Sequence, residues 1–179
     1  MKREKAISIQ GDPLSIFINK EEIALRVETL AQQIYRDMEG ETPLFICVLK
    51  GAYVFAADLL RAYPGDGEIA FIRLSSYEGT QSSGAIKTAM GLTDDIKGRQ
   101  VVVVEDIIDT GLTMQHLVAD LSSKGAARVR VAALFVKPSN LKCDVKIDYH
   151  CFEIPNKFIV GYGLDFDGLY RNLPDIWAK

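Results

Sequence analysis

Val101-Val102-Val103-Val104-Glu105-Asp106-Ile107-Ile108-Asp109-Thr110-Gly111-Leu112-Thr113 begins as a buried strand and ends as something a core strand cannot be. Four consecutive valines cannot alternate between core and solvent, so both faces of this strand are expected to be covered, as in the middle of a parallel sheet. Two adjacent carboxylates follow, then a third at Asp109, then Thr-Gly-Leu-Thr. Three acids at the mouth of an apolar strand are costly unless a cation or hydrogen-bond donors meet them. One reading is a ribose-phosphate site: the carboxylates take sugar hydroxyls or a metal, and the Thr110-Gly111 turn offers N–H groups to a phosphate at a helix start. The other is a capped strand-to-helix turn with Asp109 or Thr110 as N-cap.

The flanking sequence supplies the rest of an α/β domain. Ile7, Ile9, Ile16 and Ile18 alternate with polar residues around Gly11-Asp12-Pro13 and predict one or two short strands. Asn19 is an N-cap candidate with Glu22 at the third helical position, and Ile23, Val27, Leu30, Ile34 and Met38 recur at helical spacing, so 20–38 reads as an amphipathic helix. Strands are expected at 44–49, 69–74 and 129–136, and helices at 53–62 and 112–124. Residues 75–84 form a polar Gly/Ser-rich loop, and 85–92 reads as a short strand on its far side. The tail, 141–179, reads as short strands and turns. The expected architecture is one α/β domain over 1–179: a mostly parallel twisted sheet flanked by helices (core about 20–140), with a small hood from 1–18 and 141–179.

The totals narrow the function classes. A net charge of −3 on 179 residues argues against a nucleic-acid binder working through a broad basic surface. No run approaches the length of a membrane span, and the charged start leads into no apolar segment that would read as a signal peptide. Cys47, Cys143 and Cys151 are widely spaced and form no metal or disulfide framework, which suits a reducing compartment, with the cytoplasm as the expected location.

In a parallel sheet, ligands bind beyond the carboxyl ends of the strands. Lys50-Gly51, Ser75-Ser76-Tyr77, Glu105–Thr113 and Lys137 all directly follow a predicted strand and should converge on one edge. Asp109 to Thr113 can wrap a monophosphate, with Gly111 permitting close backbone approach and the helix start adding a positive end. Glu105 and Asp106 can accept from vicinal ribose hydroxyls or hold Mg²⁺, which takes one or two carboxylates and keeps water. Lys50-Gly51 taken alone reads better as a solvated turn, and Arg171 taken alone better as a surface residue. Ser75-Ser76-Tyr77 can head a closing loop or a mobile one. No Walker A loop and no Gly-x-Gly-x-x-Gly opening a helix occurs, and neither His116 nor His150 sits in a catalytic or metal constellation.

The stretch Val103 to Gly111 resembles the signature of the type I phosphoribosyltransferases. Leu49-Lys50-Gly51-Ala52, Ser75-Ser76-Tyr77, Lys137, Phe152-Glu153-Ile154-Pro155, the string Lys157 to Asp165, and Arg171 resemble, in order, the branch that salvages 6-oxopurines. The resemblance implies transfer of a 5-phosphoribosyl group from 5-phosphoribosyl-1-pyrophosphate to N9 of the base. Asp109 would be the proton acceptor at N7. Glu105 and Asp106 would hold the ribose hydroxyls and Mg²⁺. Asp109, Thr110, Gly111, Leu112 and Thr113 would bind the 5′-phosphate, and Lys50, Gly51 and Arg171 the pyrophosphate. Lys137 would donate to O6, Phe158 would stack on the purine, and the Ile159 backbone would read its edge. Asp165 would lie near the 2-position and a second Mg²⁺, and Ser75, Ser76 and Tyr77 would belong to the closing loop. It also implies a homodimer or homotetramer, and in this family the peptide bond before the matching lysine can be cis. Two other readings stay open: a transferase for xanthine or another base, and a nucleotide-sensing regulator that keeps the site without the chemistry.

Overall fold

The structure, a computed structural model, describes residues 7–75, 87–90, 92 and 94–179. The chain runs β1 (Ile7–Ile9), β2 (Asp12–Ile18), α1 (Lys20–Met38), β3 (Leu44–Leu49), α2 (Tyr53–Ala62), β4 (Glu68–Ser75), β5 (Lys87–Met90), β6 (Gln100–Ile108), α3 (Leu112–Ser123), β7 (Arg128–Val136), β8 (Tyr149–Glu153), β9 (Ile159–Val160) and β10 (Ile176–Ala178). Asn19 caps α1 as the spacing predicts, its Oδ1 accepting the Glu22 N–H at 2.9 Å. No described helix is long and apolar enough to cross a membrane.

The main sheet has the order β5-β4-β3-β6-β7-β8, five parallel strands with β5 antiparallel at one edge. The valine run lies at its centre, fully buried on both faces. Val102 and Val104 pack into the cluster formed with α1 and α2, and Val101 and Val103 into the one formed with α3. Each buried valine contributes on the order of 2 kcal/mol. Burial pushes the Cys47 thiol, in the neighbouring strand, up to about 12, leaving it an inert core residue.

Two expectations need correction. The strand does not end at the valines: β6 continues through Glu105 and Asp106, because Ile107 and Ile108 stay in the ladder opposite Phe135 and Val136. The tail is not wholly hood: β8 pairs in parallel with β7, because buried Tyr149, Cys151 and Phe152 join the α1 side of the core. The hood itself is a second sheet, β1-β2-β10-β9, in which the β1-β2 hairpin pairs with the last strand.

The two parts of the main sheet wind in opposite directions. From β3 the chain crosses by α2 to β4 on one side, and from β6 it crosses by α3 to β7 on the other. β3 pairs with β4 up to Leu49↔Arg73 but with β6 only up to Cys47↔Val104. The two central strands therefore part beyond Val104, with Lys50-Gly51 on one lip and Glu105-Asp106 on the other. A crevice at such a switch point is where open α/β sheets bind ligands.

Candidate active site

The phosphate-loop candidates surround a cleft of about 120 Å³ lined by Glu105, Ile107, Ile108, Asp109, Thr110, Gly111, Thr113 and Met114. Leu112 is half-exposed and does not line it. The N-cap of α3 is neither Asp109 nor Thr110 but Gly111, at φ +80°, with no side-chain cap. The first-turn N–H groups of α3 are therefore left for an external acceptor, with the positive end of the helix behind them. Gly111 is also needed sterically, because a Cβ there would come within 2.7 Å of Val145 Cγ1.

Asp109 is the first residue past β6. Its Oδ1 accepts from Asn140 Nδ2 at 2.7 Å, and its Oδ2 lies 4.0 Å from Lys137 Nζ. Lys137 is buried and donates to Asn156 Oδ1 at 3.3 Å. The ends of β6 and β7 thus bring together a carboxylate and an ammonium that are distant in sequence.

Glu105 and Asp106 are stacked acid against acid. The Asp106 N–H donates to Glu105 Oε1 at 3.2 Å, and the Ile107 N–H to Asp106 Oδ1 at 2.6 Å. Burial and the Asp106 charge push the Glu105 carboxyl well above its ordinary 4.5. Burial raises Asp106 too, against the pull of its hydrogen bonds and of Arg171. The folded pair therefore holds protons that the unfolded chain releases, and the ligand-free protein loses stability as pH rises from about 4.5 through the pair's titration. Without metal, Glu105→Gln should melt a few degrees above the parent at pH 8 and level with it at pH 4. Calorimetry in a chelator checks this, and a difference that does not grow with pH contradicts it.

Among the described residues no three His, Cys, Asp or Glu side chains form a metal cage. Two adjacent, partly buried carboxylates, with Glu105 lining the cleft, nonetheless fit Mg²⁺ as it binds phosphates, with water and substrate oxygens completing its shell. Asp165 does not join them. Its Oδ1 is paired with Arg171 Nη2 at 2.6 Å, and its Oδ2 accepts the Gly168 N–H at 2.7 Å. Arg171 also donates to the Gly163 carbonyl at 2.7 Å, so these two candidates bind each other.

The Leu49–Lys50 peptide bond is cis, and the Lys50 side chain is exposed. Gly51 packs so closely on β6 that a Cβ there would overlap the Asp106 carboxylate, and a Cβ on Gly163 would overlap the Gly51 carbonyl. Phe158 is no core aromatic: the residue is 44% exposed and its ring meets Phe166 edge-on at 5.7 Å. Ile159 is buried in β9, opposite Ala178. Ser75 ends β4, whereas Ser76 and Tyr77 lie outside the described residues. Asn140, Asn156 and Asp58, which accepts from Tyr162 Oη at 2.6 Å, were not foreseen. Each is a short polar residue whose partner belongs to another element.

Known proteins resemble this chain over most of its length. Residues 16–167 match the phosphoribosyl transferase domain model. The chain is 42% identical over 167 residues to the hypoxanthine-guanine phosphoribosyltransferase of Streptococcus thermophilus, covering 93% of each. The crystal structure of a hypoxanthine-guanine phosphoribosyltransferase from Bacillus anthracis matches with a TM-score of 0.86 at 42% identity, covering 92% of this chain and 95% of that one. Trypanosoma cruzi hypoxanthine phosphoribosyltransferase, in complex with the product IMP, matches with a TM-score of 0.86 at 35% identity, covering 91% and 92%. A match that runs from within β2 past the Phe158–Asp165 string, with relatives this similar over nearly their whole length, is decisive: the chain belongs to the phosphoribosyltransferase family.

Proposed function

We propose that the chain salvages purines by transferring the 5-phosphoribosyl group of 5-phosphoribosyl-1-pyrophosphate to N9 of hypoxanthine, and of guanine, giving IMP or GMP and pyrophosphate. The observation that carries the choice of base is the Lys137–Asp109 pair, ammonium and carboxylate 4.0 Å apart. A 6-oxopurine presents O6 and N7–H side by side on one edge, an acceptor next to a donor. Lys137 donates to O6 and Asp109 accepts from N7. Adenine would turn an N–H₂ toward the ammonium, which the pair rejects.

N9 attacks C1′ while the C1′–O bond to pyrophosphate breaks with its electron pair, through an oxocarbenium-like state. The N7 proton passes to Asp109. The α3 N-terminus with Thr110, Gly111, Leu112 and Thr113 holds the 5′-phosphate. Glu105 and Asp106 orient the ribose hydroxyls. Lys50 and the Gly51 N–H take the pyrophosphate, joined by Arg171 on release from Asp165. Phe158 stacks on the base, contributing about 1 kcal/mol, and the Ile159 backbone reads its edge. Ser75, Ser76 and Tyr77 begin the loop that closes over the site and excludes water. Glu105 and Asp106 would hold Mg²⁺, with Asp165 near a second ion once released from Arg171, and the metal would supply positive charge to the leaving pyrophosphate. The reading extends to a cytoplasmic homodimer or homotetramer, in keeping with the free cysteines Cys47, Cys143 and Cys151.

The test offers hypoxanthine, guanine, xanthine, adenine and uracil separately, with Mg²⁺ and 5-phosphoribosyl-1-pyrophosphate. Turnover is expected with the first two, and none with either sinks the proposal. Lys137→Ala should narrow the preference for hypoxanthine over adenine by at least about tenfold; an unchanged ratio removes Lys137 from base selection.

A further inference from the structure

The Asp109–Lys137 pair poses a problem that its partners answer. A carboxylate and an ammonium 4.0 Å apart attract each other, and one rotation of Asp109 would close the gap into a tight ion pair. Such a pair would occupy the acceptor and the donor together and leave a 6-oxopurine nothing to bind. Asp109 is exposed at the cleft, so packing does not prevent this rotation.

Asn140 does. It ends the 3-10 turn Pro138–Asn140, and its own N–H is tied to the Lys137 carbonyl at 3.0 Å. This segment is stitched to the end of β6 on both sides of Asp109: the Lys137 N–H donates to the Ile108 carbonyl at 3.0 Å, and the Lys142 N–H to the Thr110 carbonyl at 2.9 Å. Asn140 therefore stands opposite Asp109, with Nδ2 2.7 Å from its Oδ1. The amide orientation is set by its surroundings. A carboxylate can only accept, and on the other side the Ser139 hydroxyl donates to Asn140 Oδ1 at 3.4 Å. At the far end of the pair, Asn156 Oδ1 draws the ammonium of Lys137 away from Asp109.

We propose that Asn140 is a positioning residue for this reaction: it holds Asp109 off Lys137 so that the two read adjacent atoms of the base. The inference rests on the proposed role of Asp109 as proton acceptor, and the experiment separates the two claims. Single-turnover nucleotide formation is measured for the parent, Asn140→Ala, Asp109→Asn and the double variant, alongside KM for 5-phosphoribosyl-1-pyrophosphate.

Asn140→Ala should slow single turnover about tenfold, the size of losing one hydrogen bond to a charged group. KM for 5-phosphoribosyl-1-pyrophosphate should stay within about twofold, because the phosphate loop is untouched. In the Asp109→Asn background the same change should cost less than about twofold, since the carboxylate to be positioned is gone. The near-isosteric Asn140→Asp, which keeps the turn but faces Asp109 with a second carboxylate, should be slower than Asn140→Ala. Parental rates in Asn140→Ala and Asn140→Asp with a slow Asp109→Asn overturn the positioning role and leave the acceptor standing. Equal losses in both backgrounds overturn it too, because Asn140 would then act elsewhere. A fast Asp109→Asn overturns the acceptor role and this inference with it.

Discussion

Replacing Asp109 with asparagine should lower turnover by about 10²–10⁴-fold, the range of general acid–base catalysis, while IMP still binds. The substitution is isosteric, and the side chain is half-exposed at the end of β6, so neither core nor cleft loses volume. Asparagine can still accept from Asn140 through its carbonyl, which keeps the loop in place. What disappears is a group able to take the N7 proton as the C1′–N9 bond forms. Loss of turnover with retained IMP affinity, read by calorimetry beside steady-state rates, separates this role from phosphate binding. A Thr110 or Thr113 substitution should do the opposite, weakening nucleotide binding first, because those residues line the cleft proposed to hold the 5′-phosphate. An Asp109→Asn enzyme with turnover near the parent's would remove Asp109 as proton acceptor.

Legibility in the sequence followed the range of the interaction. The buried strand at Val101–Val104 was readable because four β-branched residues in a row leave no solvent face. The α1 cap was readable because Asn19 and Glu22 meet within one turn. The convergence of Lys50, Asp109 and Lys137 on one edge followed from topology alone. Where β6 ends was not readable, because Glu105 and Asp106 look like a terminus until Phe135 and Val136 are known to lie opposite Ile107 and Ile108. The place of β8 was misread for a related reason: five residues carry no period long enough to tell a strand of the main sheet from a hood strand. The Asp165–Arg171 pair was hidden differently. Each residue was legible as a candidate, but nothing local says that both oxygens of Asp165 are already engaged. Asn140 shows the same limit, since three residues after a lysine it reads as turn punctuation until the end of β6 is set beside it.

Gly51 carries the second large expectation. Glycine after a lysine at a strand end reads as a turn; in three dimensions it is a spacer between two backbones and a carboxylate. A Cβ there would overlap Asp106, whose other oxygen is pinned by the Ile107 N–H at 2.6 Å. Retreat is blocked on the opposite side, where the Gly51 carbonyl already fills the space a Cβ on Gly163 would need. That turn is braced in its own right, by the Gly163 N–H to the Arg171 carbonyl at 2.9 Å and by the Arg171 side chain to the Gly163 carbonyl. Gly51→Ala must therefore move either the Asp106 carboxylate or the Lys50-Gly51 lip, which the proposed function assigns to the ribose and metal and to the pyrophosphate. Displacement by about 1 Å at a reacting centre costs on the order of 10²-fold, and kcat/KM for 5-phosphoribosyl-1-pyrophosphate should fall by at least that much. Gly98→Ala is the control: Gly98 also adopts positive φ, at +72°, but a Cβ there meets nothing within 4 Å. It should lose about 1 kcal/mol of stability from backbone strain and keep its turnover. If Gly51→Ala matches the parent in kcat/KM, the tight approach of the two lips is not what assembles the pyrophosphate site.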